Sequence, residues 1–269
     1  MNGVSQLSVL SAPCGTPRRC STLVLATMRV SLFVTCLIDQ LYPQVGLSAV
    51  KVLRKLGVSV DFDRRQTCCG QPAFNTGYAD EARHVARHLL ALYADQDQPV
   101  VVPSGSCATM IKVFAPGLFQ TGSAERAAAE RIAARTYEFS DFIVSTLGCE
   151  RTGARFSEAV TYHDSCHLLR ELHISEQPRR LIRQVEGIDF REMENSTRCC
   201  GFGGTFAVKF AEVSTAMGEE KIRCIQSSGA HYVIGNDVSC LMHLDGLLRR
   251  KNIPVKIMHL AELLAKFDD

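Results

Sequence analysis

Cysteine-cysteine-glycine occurs twice in this chain, in QTCCGQPA at residues 66–73 and TRCCGFGG at residues 197–204. Thiolates are soft ligands, suited to zinc and to iron–sulfur centres, so metal ligation is the first chemistry to weigh. Adjacent residues of an extended chain point to opposite sides. Both thiolates therefore reach one small ion only if the backbone folds tightly. A multi-iron cluster is larger, and two neighbouring thiolates can approach different irons of it. The glycine that follows permits a left-handed turn and leaves room for such a group. Structural zinc sites, the plainer alternative, usually draw on C-x₂₋₄-C knuckles.

The remaining cysteines fall into the same repeat. Cys36 pairs with Cys166 at an offset of 130 residues, Cys68 with Cys199 and Cys69 with Cys200 at 131, and Cys107 with Cys240 at 133. Cys14, Cys20, Cys149 and Cys224 have no counterpart, and the last two read as packing residues. Four cysteines per repeat is the usual complement of a [4Fe–4S] cluster.

These thiols are far apart in sequence, so the fold must bring them together. Apolar runs and breakers give one order of elements twice. RVSLFVTC, VSVDFD, PVVVPSGSC and RTYEFSDFIVSTL in the first unit correspond to AVTYHDSC, DFREM, HYVIGNDVSC and VKIMHLAELLAKF in the second, with amphipathic helices between them. Strands alternating with helices imply right-handed crossovers and parallel sheets. The expectation is an α/β protein of two pseudo-symmetric, Rossmann-like parallel-sheet repeats with one CCG motif each, over residues 29–147 and 158–266. Sites in such sheets form beyond the carboxyl ends of the strands. Cys36, Cys68, Cys69 and Cys107 should meet there in one half, and Cys166, Cys199, Cys200 and Cys240 in the other.

A net charge of +2 argues against nucleic acid or an anionic membrane as partner. No apolar run is long enough to span a bilayer. Twelve cysteines in a chain of this length fit ligation in a reducing, cytoplasmic setting better than a secreted disulfide framework. Residues 1–28 lack periodicity and read as a disordered extension. The Arg18-Arg19 pair only faintly resembles an export signal, because the apolar stretch after it runs on into the first strand.

The motifs FVTCLIDQLYPQVG, CCGQPAFNTGY, PSGSCATMI, YHDSCHLLREL and CCGFGGTFAVKF resemble the duplicated cysteine-rich CCG domain. That domain occurs in heterodisulfide reductase B subunits and in iron–sulfur subunits of glycolate and glycerol-3-phosphate oxidoreductases. Across residues 29–266 the pattern is most similar to the lactate utilization protein A family. The resemblance implies an iron–sulfur electron-transfer subunit of a system that oxidises L-lactate to pyruvate. Its implied partners are a ferredoxin-like iron–sulfur subunit and a third small subunit. Heterodisulfide-reductase-like or glycolate-oxidase-like chemistry is the alternative within the group, and a zinc-stabilised, non-redox scaffold the alternative outside it. The fuller motif ends in C-x-x-C, where this chain has Ser104-Gly-Ser-Cys107 and Asp237-Val-Ser-Cys240. Loss of the fifth cysteine favours an ordinary [4Fe–4S] cluster in each repeat, with Ser104 and Asp237 as oxygen ligands or as hydrogen-bonding groups around the ligands.

His163 and His167 flank Cys166 and could tune a cluster or ligate it. Asp164 and Asp237 lack a recognisable acid–base partner and read as turn caps. GFGGTF at 201–206 fails as a dinucleotide loop, since Phe206 stands where the fingerprint needs glycine or alanine. No flavin or nicotinamide fingerprint is present, so direct hydride transfer from a substrate is not expected of this chain.

Overall fold

The computed structural model describes residues 28–267, so the readings of residues 1–27, with Cys14 and Cys20, lie outside the described residues. Strands β1 (Arg29–Leu32), β2 (Ser59–Asp61), β3 (Val100–Val102) and β4 (Thr136–Glu138) form one sheet in the order β2-β1-β3-β4. Strands β5 (Ala159–His163), β6 (Asp189–Phe190), β7 (Tyr232–Gly235) and β8 (Lys256–His259) form a second in the order β6-β5-β7-β8. Every pairing is parallel. The chain is thus α/β with two equivalent four-stranded sheets, as the duplicated element order requires. Each sheet reverses its winding direction between its first and third strands, which is where open α/β sheets bind ligands.

The strands are shorter than the apolar runs that mark them, and the reason bears on the site. RVSLFVTC continues to Cys36, but β1 ends at Leu32. Phe33 still donates its N–H to the Val101 carbonyl at 2.9 Å. The next bonds go to a side chain: Val34 N–H donates to Gln66 Oε1 at 2.8 Å, and the Gln66 amide donates to the Leu32 carbonyl at 2.7 Å. Gln66 takes over the ladder, and the chain turns away to place Cys36 at the head of helix Cys36–Leu41.

The helices follow their sequence signals. Helix Pro43–Lys55 starts with proline, whose fixed φ suits the first turn, and ends with Arg54 and Lys55 against the negative end of its dipole. Its buried face is Val45, Gly46, Ala49, Val52 and Leu53, an i, i+3/i+4 stripe. β3 is Val-Val-Val and wholly buried, as a strand covered on both faces should be.

The two halves share their largest core. Val30 and Leu32 of β1 and Val160 and Tyr162 of β5 belong to one buried cluster with Leu53, Phe142, Leu181 and Leu263. Helix Leu260–Leu264 of the second half packs on Pro43–Lys55 of the first, and Phe139–Asp141 of the first packs on Glu176–Arg183 of the second. Exchanging the halves exchanges these two contacts, which marks a pseudo-twofold relation. Smaller cores lie outboard in each half. Among the described residues no helix is long and apolar enough to cross a membrane.

Candidate metal centre

In each half one cysteine opens the helix after the first strand, two sit in the loop after the second, and one lies in the helix after the third. Cys36 begins Cys36–Leu41, Cys68 and Cys69 precede helix Gln71–Asn75, and Cys107 lies in Gly105–Thr109. Cys166 begins Cys166–Arg170, Cys199 and Cys200 precede helix Phe206–Lys209, and Cys240 lies in Val238–Arg250. The Cys-Cys-Gly turn depends on its glycine. Gly70 and Gly201 have φ of +90° and +92°, a region that a side chain disfavours. In that geometry Gly70 N–H donates to Cys68 Sγ and Gly201 N–H to Cys199 Sγ, each at 3.4 Å.

The thiols of each half meet. Cys69 donates to Cys107 at a sulfur–sulfur distance of 3.2 Å. Cys68 is held well below the usual thiol range by hydrogen bonds from Cys36 and Cys69, and Cys36 is pushed up by sharing that bond and by burial. The second half repeats this: Cys199 is lowered by bonds from Cys166 and Cys200, and both of those are raised. The first cysteine of each pair is the sulfur to which its neighbours donate. Converging thiols that hydrogen-bond to one another are a donor set that fits a sulfur-ligated metal group.

Both sets open onto one cavity of about 220 Å³, lined by all eight of these cysteines together with Ser104, Ser106, Ser165, His167 and Asp237. His167 lies with Nδ1 3.7 Å from Cys166 Sγ. Asp237 does not behave as the cap of its own turn. It stands at the N-terminus of helix Val238–Arg250 without a side-chain bond to it. Its carboxylate instead accepts from Ser104 Oγ and Ser106 Oγ of the other half, each at 2.7 Å, from the Ser106 N–H at 3.1 Å, and from Ser165 Oγ. Ser104 and Asp237, the residues in place of the fifth cysteines, thus bond to each other across the two halves. Beside them, Gly105 faces Leu168 so closely that an added Cβ would lie 2.6 Å from the leucine Cβ.

A second polar contact joins the halves in the interior. Glu138, fully buried, caps helix Phe139–Asp141 by accepting from the Ser140 N–H at 2.8 Å. Its other oxygen accepts from Asn236 Nδ2 at 2.8 Å, and Tyr162 Oη donates to Asn236 Oδ1 at 3.2 Å. Burial pushes Glu138 up to about 7. His259 caps the equivalent helix Leu260–Leu264 through Nδ1 and is pushed down to about 4 by burial. It is buried at the end of β8, close to the Pro103 backbone of the other half.

The second half carries a buried polar shell. Asp164 is not a turn cap but the partner of Arg179, whose Nη1 and Nη2 donate to its two oxygens at 2.8 and 2.6 Å. Arg179 also bonds Glu192. Lys221, fully buried, donates to the Asn195 and Ser196 carbonyls at 2.9 and 2.8 Å, and burial pulls it down to about 8. His163 lies with a ring nitrogen, Cys200 Sγ and Cys240 Sγ all within 4.8 Å of one another. Arg179 and Lys221 escape a sequence reading because each sits in a charged amphipathic helix. The available signal for Lys221 is the repeat itself: Ser214 and Met217 pack on Gly201 as Ala82 and Val85 pack on Gly70, and that register puts Lys221 where the first half has Leu89.

Comparison with known proteins adds the family. The profile described as "Cysteine-rich domain" (CCG) matches residues 30–112 and 160–245. "Lactate utilization protein A" of Macrococcus caseolyticus is 46% identical over 237 residues, 88% of this chain and 96% of that protein. The chain belongs to the lactate utilization protein A family. "Lactate utilization protein A 2" of Bacillus cereus is 44% identical over 239 residues, 89% of this chain and 98% of that protein. A crystal structure of a hypothetical protein from Helicobacter pylori shares the fold, with a TM-score of 0.65 at 10% identity over 90% of this chain. This chain spans half the length of that one.

Proposed function

We propose that this chain is the iron–sulfur electron-transfer subunit of a cytoplasmic system that oxidises L-lactate to pyruvate. Each half, residues 29–147 and 158–266, would hold one [4Fe–4S] cluster. Cys36, Cys68, Cys69 and Cys107 are the ligands assigned to the first, and Cys166, Cys199, Cys200 and Cys240 to the second. The observation that carries the reading is the convergence of two four-thiol sets on a common cavity, in a chain whose relatives are named for lactate utilization. Clusters bound there supply one-electron storage and release. The thiols provide the ligating sulfurs, and the Cys-Cys-Gly turns aim two neighbouring sulfurs at one group. The Asp237–Ser104 contact holds the two sets in a fixed relation. A ferredoxin-like iron–sulfur subunit and a third small subunit complete the system, because this chain lacks a fingerprint for a hydride-accepting cofactor.

Anaerobic purification with iron and sulfide analysis, and EPR of the dithionite-reduced protein, tests this reading. Cys69→Ala and Cys200→Ala should each remove roughly half of the iron, since separate sites act nearly independently, while Cys224→Ala should leave it unchanged. Lactate-dependent dye reduction should require the partner proteins. Zinc without iron or sulfide in the purified protein would replace the redox reading with the scaffold.

A further inference from the structure

The two four-thiol sets are equivalent in ligands and unlike in surroundings. At the offset of 130 residues that relates Cys36 to Cys166, Phe33 corresponds to His163. Phe33 is buried and packs edge-on against Tyr93, with ring centroids 6.3 Å apart. His163 is 1% exposed, and neither ring nitrogen has a hydrogen-bond partner among the described residues. A buried imidazole without a partner is costly, and a ring nitrogen lies within 4.8 Å of the sulfurs of Cys200 and Cys240, with Lys221, Asp164 and Cys199 near enough to act on it electrostatically. The difference extends outwards. Lys221, whose charge acts on Cys199 and Cys200, occupies the position of Leu89, which is buried in the first half's apolar core. Nearby, Arg179 faces two carboxylates, Asp164 and Glu192, and Lys221 brings these four groups to neutrality as the cation that acts on the cysteine pair.

Resting on the iron–sulfur reading above, we infer that His163 engages the second-half centre through a ring nitrogen, and that His163 and Lys221 together make it the more readily reduced of the two. A donor to cluster sulfur, an imidazole ligand and a nearby cation all favour the more negative, reduced form, and so all raise a reduction potential. The first set, with phenylalanine and leucine in the corresponding places, lacks these aids. One electron on the first centre then moves downhill to the second: the first is oxidised and the second reduced by the same electron, with no other reactant. The duplicated fold thereby acquires a direction, from residues 29–147 towards residues 158–266.

EPR-monitored potentiometric titration of anaerobically purified full-length protein tests this, with the centres assigned by Cys69→Ala, which keeps the second, and Cys200→Ala, which keeps the first. The second-half centre should titrate at the higher potential. His163→Phe, which installs the residue of the first repeat, should lower that potential at unchanged iron content and leave the first centre unmoved. Lys221→Met should lower it independently, which covers the case in which His163→Phe fails to fold. In protein labelled with ¹⁵N-histidine, the reduced second centre should show a nitrogen coupling that His163→Phe abolishes. Equal potentials in the two single-centre proteins, or a second centre indifferent to both substitutions, overturns the inference while leaving the electron-transfer reading intact. Absence of iron and sulfide from wild-type protein removes both.

Discussion

Asp237 offers a sharp test of how the site is built, because its carboxylate could serve as a metal ligand or as a clamp between halves. The structure gives it the clamp's contacts. Asp237→Ala leaves Ser104 and Ser165, 5% and 2% exposed, with hydroxyls that have lost their acceptor. Ser106 is only half-buried, so water can replace the lost bonds of its hydroxyl and N–H. Each stripped buried donor costs about 1–3 kcal/mol, so the two serines together predict a loss of about 4 kcal/mol. That is a large fraction of the roughly 5–15 kcal/mol that holds a typical domain folded. Asp237→Asn keeps one oxygen for Ser104 and Ser106 but replaces the one that accepts from Ser165 Oγ by an amide NH2, so it loses that bond with the charge assistance, for a cost of about 1–3 kcal/mol. Anaerobic urea unfolding of the purified protein measures both, with iron content read in parallel. A clamp predicts a graded fall in stability, alanine beyond asparagine, with asparagine retaining its iron. Wild-type stability in both variants, with iron lost as completely as in Cys200→Ala, would refute the clamp and make Asp237 a ligand.

Two further outcomes follow from the same interface. Gly105→Ala places a methyl group 2.6 Å from Leu168 Cβ and 3.0 Å from Asp237 Oδ2, and overpacking of this kind costs about 1–3 kcal/mol. Gly105 shares a helix with Cys107 and Leu168 shares one with Cys166, so this single substitution should reduce iron retention in both halves, measured on the Cys200→Ala and Cys69→Ala backgrounds. Glu138 holds its proton up to about 7 in the folded protein, against 4.5 for the free group. The folded state therefore binds more protons than the unfolded one between those values, and stability falls as pH rises through that window. Glu138→Gln removes this penalty. Its stability relative to wild type should be flat below pH 4.5 and should rise towards pH 7 by at most about 3 kcal/mol, as read from urea midpoints across pH. A constant difference across the window would show that Glu138 is ionised in the fold.

The duplication was legible because its marks are local. Cysteine offsets survive insertion of the alanine-rich helix Ala124–Ala134 before β4, and alternating apolar runs and amphipathic helices specify parallel sheets wherever the crossovers are long enough. The convergence of Cys36 with Cys68, Cys69 and Cys107 was legible for the same reason, since each follows a strand of one sheet. The relation between halves was not. Ser104 and Asp237 are 133 residues apart, and Glu138 and Asn236 are 98 apart. Nothing in either neighbourhood marks the pairing, because a buried acceptor in an X-Asp-Val-Ser-Cys turn reads like any exposed cap. Asp164 was misread likewise: its partner Arg179 lies on a helix whose arginines otherwise face outwards, as Arg180 and Arg183 do. Strand ends were overrun because apolarity persists through Val34 while the ladder passes to the Gln66 side chain, a substitution of side chain for backbone that no pattern of hydrophobicity reports.

The contact between Ser104 and Asp237 explains what a covalently joined duplication allows that two identical subunits do not. The two residues occupy equivalent places, each immediately before the first residue of a helix and three positions before a cysteine, and the pseudo-twofold relation brings them face to face. In a true dimer the same residue would meet itself there. Two aspartates would bury like charges against each other, and one would have to hold a proton at neutral pH. Two serines would leave the Ser106 N–H and the Ser165 hydroxyl without the carboxylate that now gathers them. Serine on one side and aspartate on the other satisfies every donor with a single charge. The same freedom lets phenylalanine and leucine stand opposite histidine and lysine around the two thiol sets. Covalent fusion thus permits both a complementary seam between the halves and unequal environments for ligand sets that are otherwise alike.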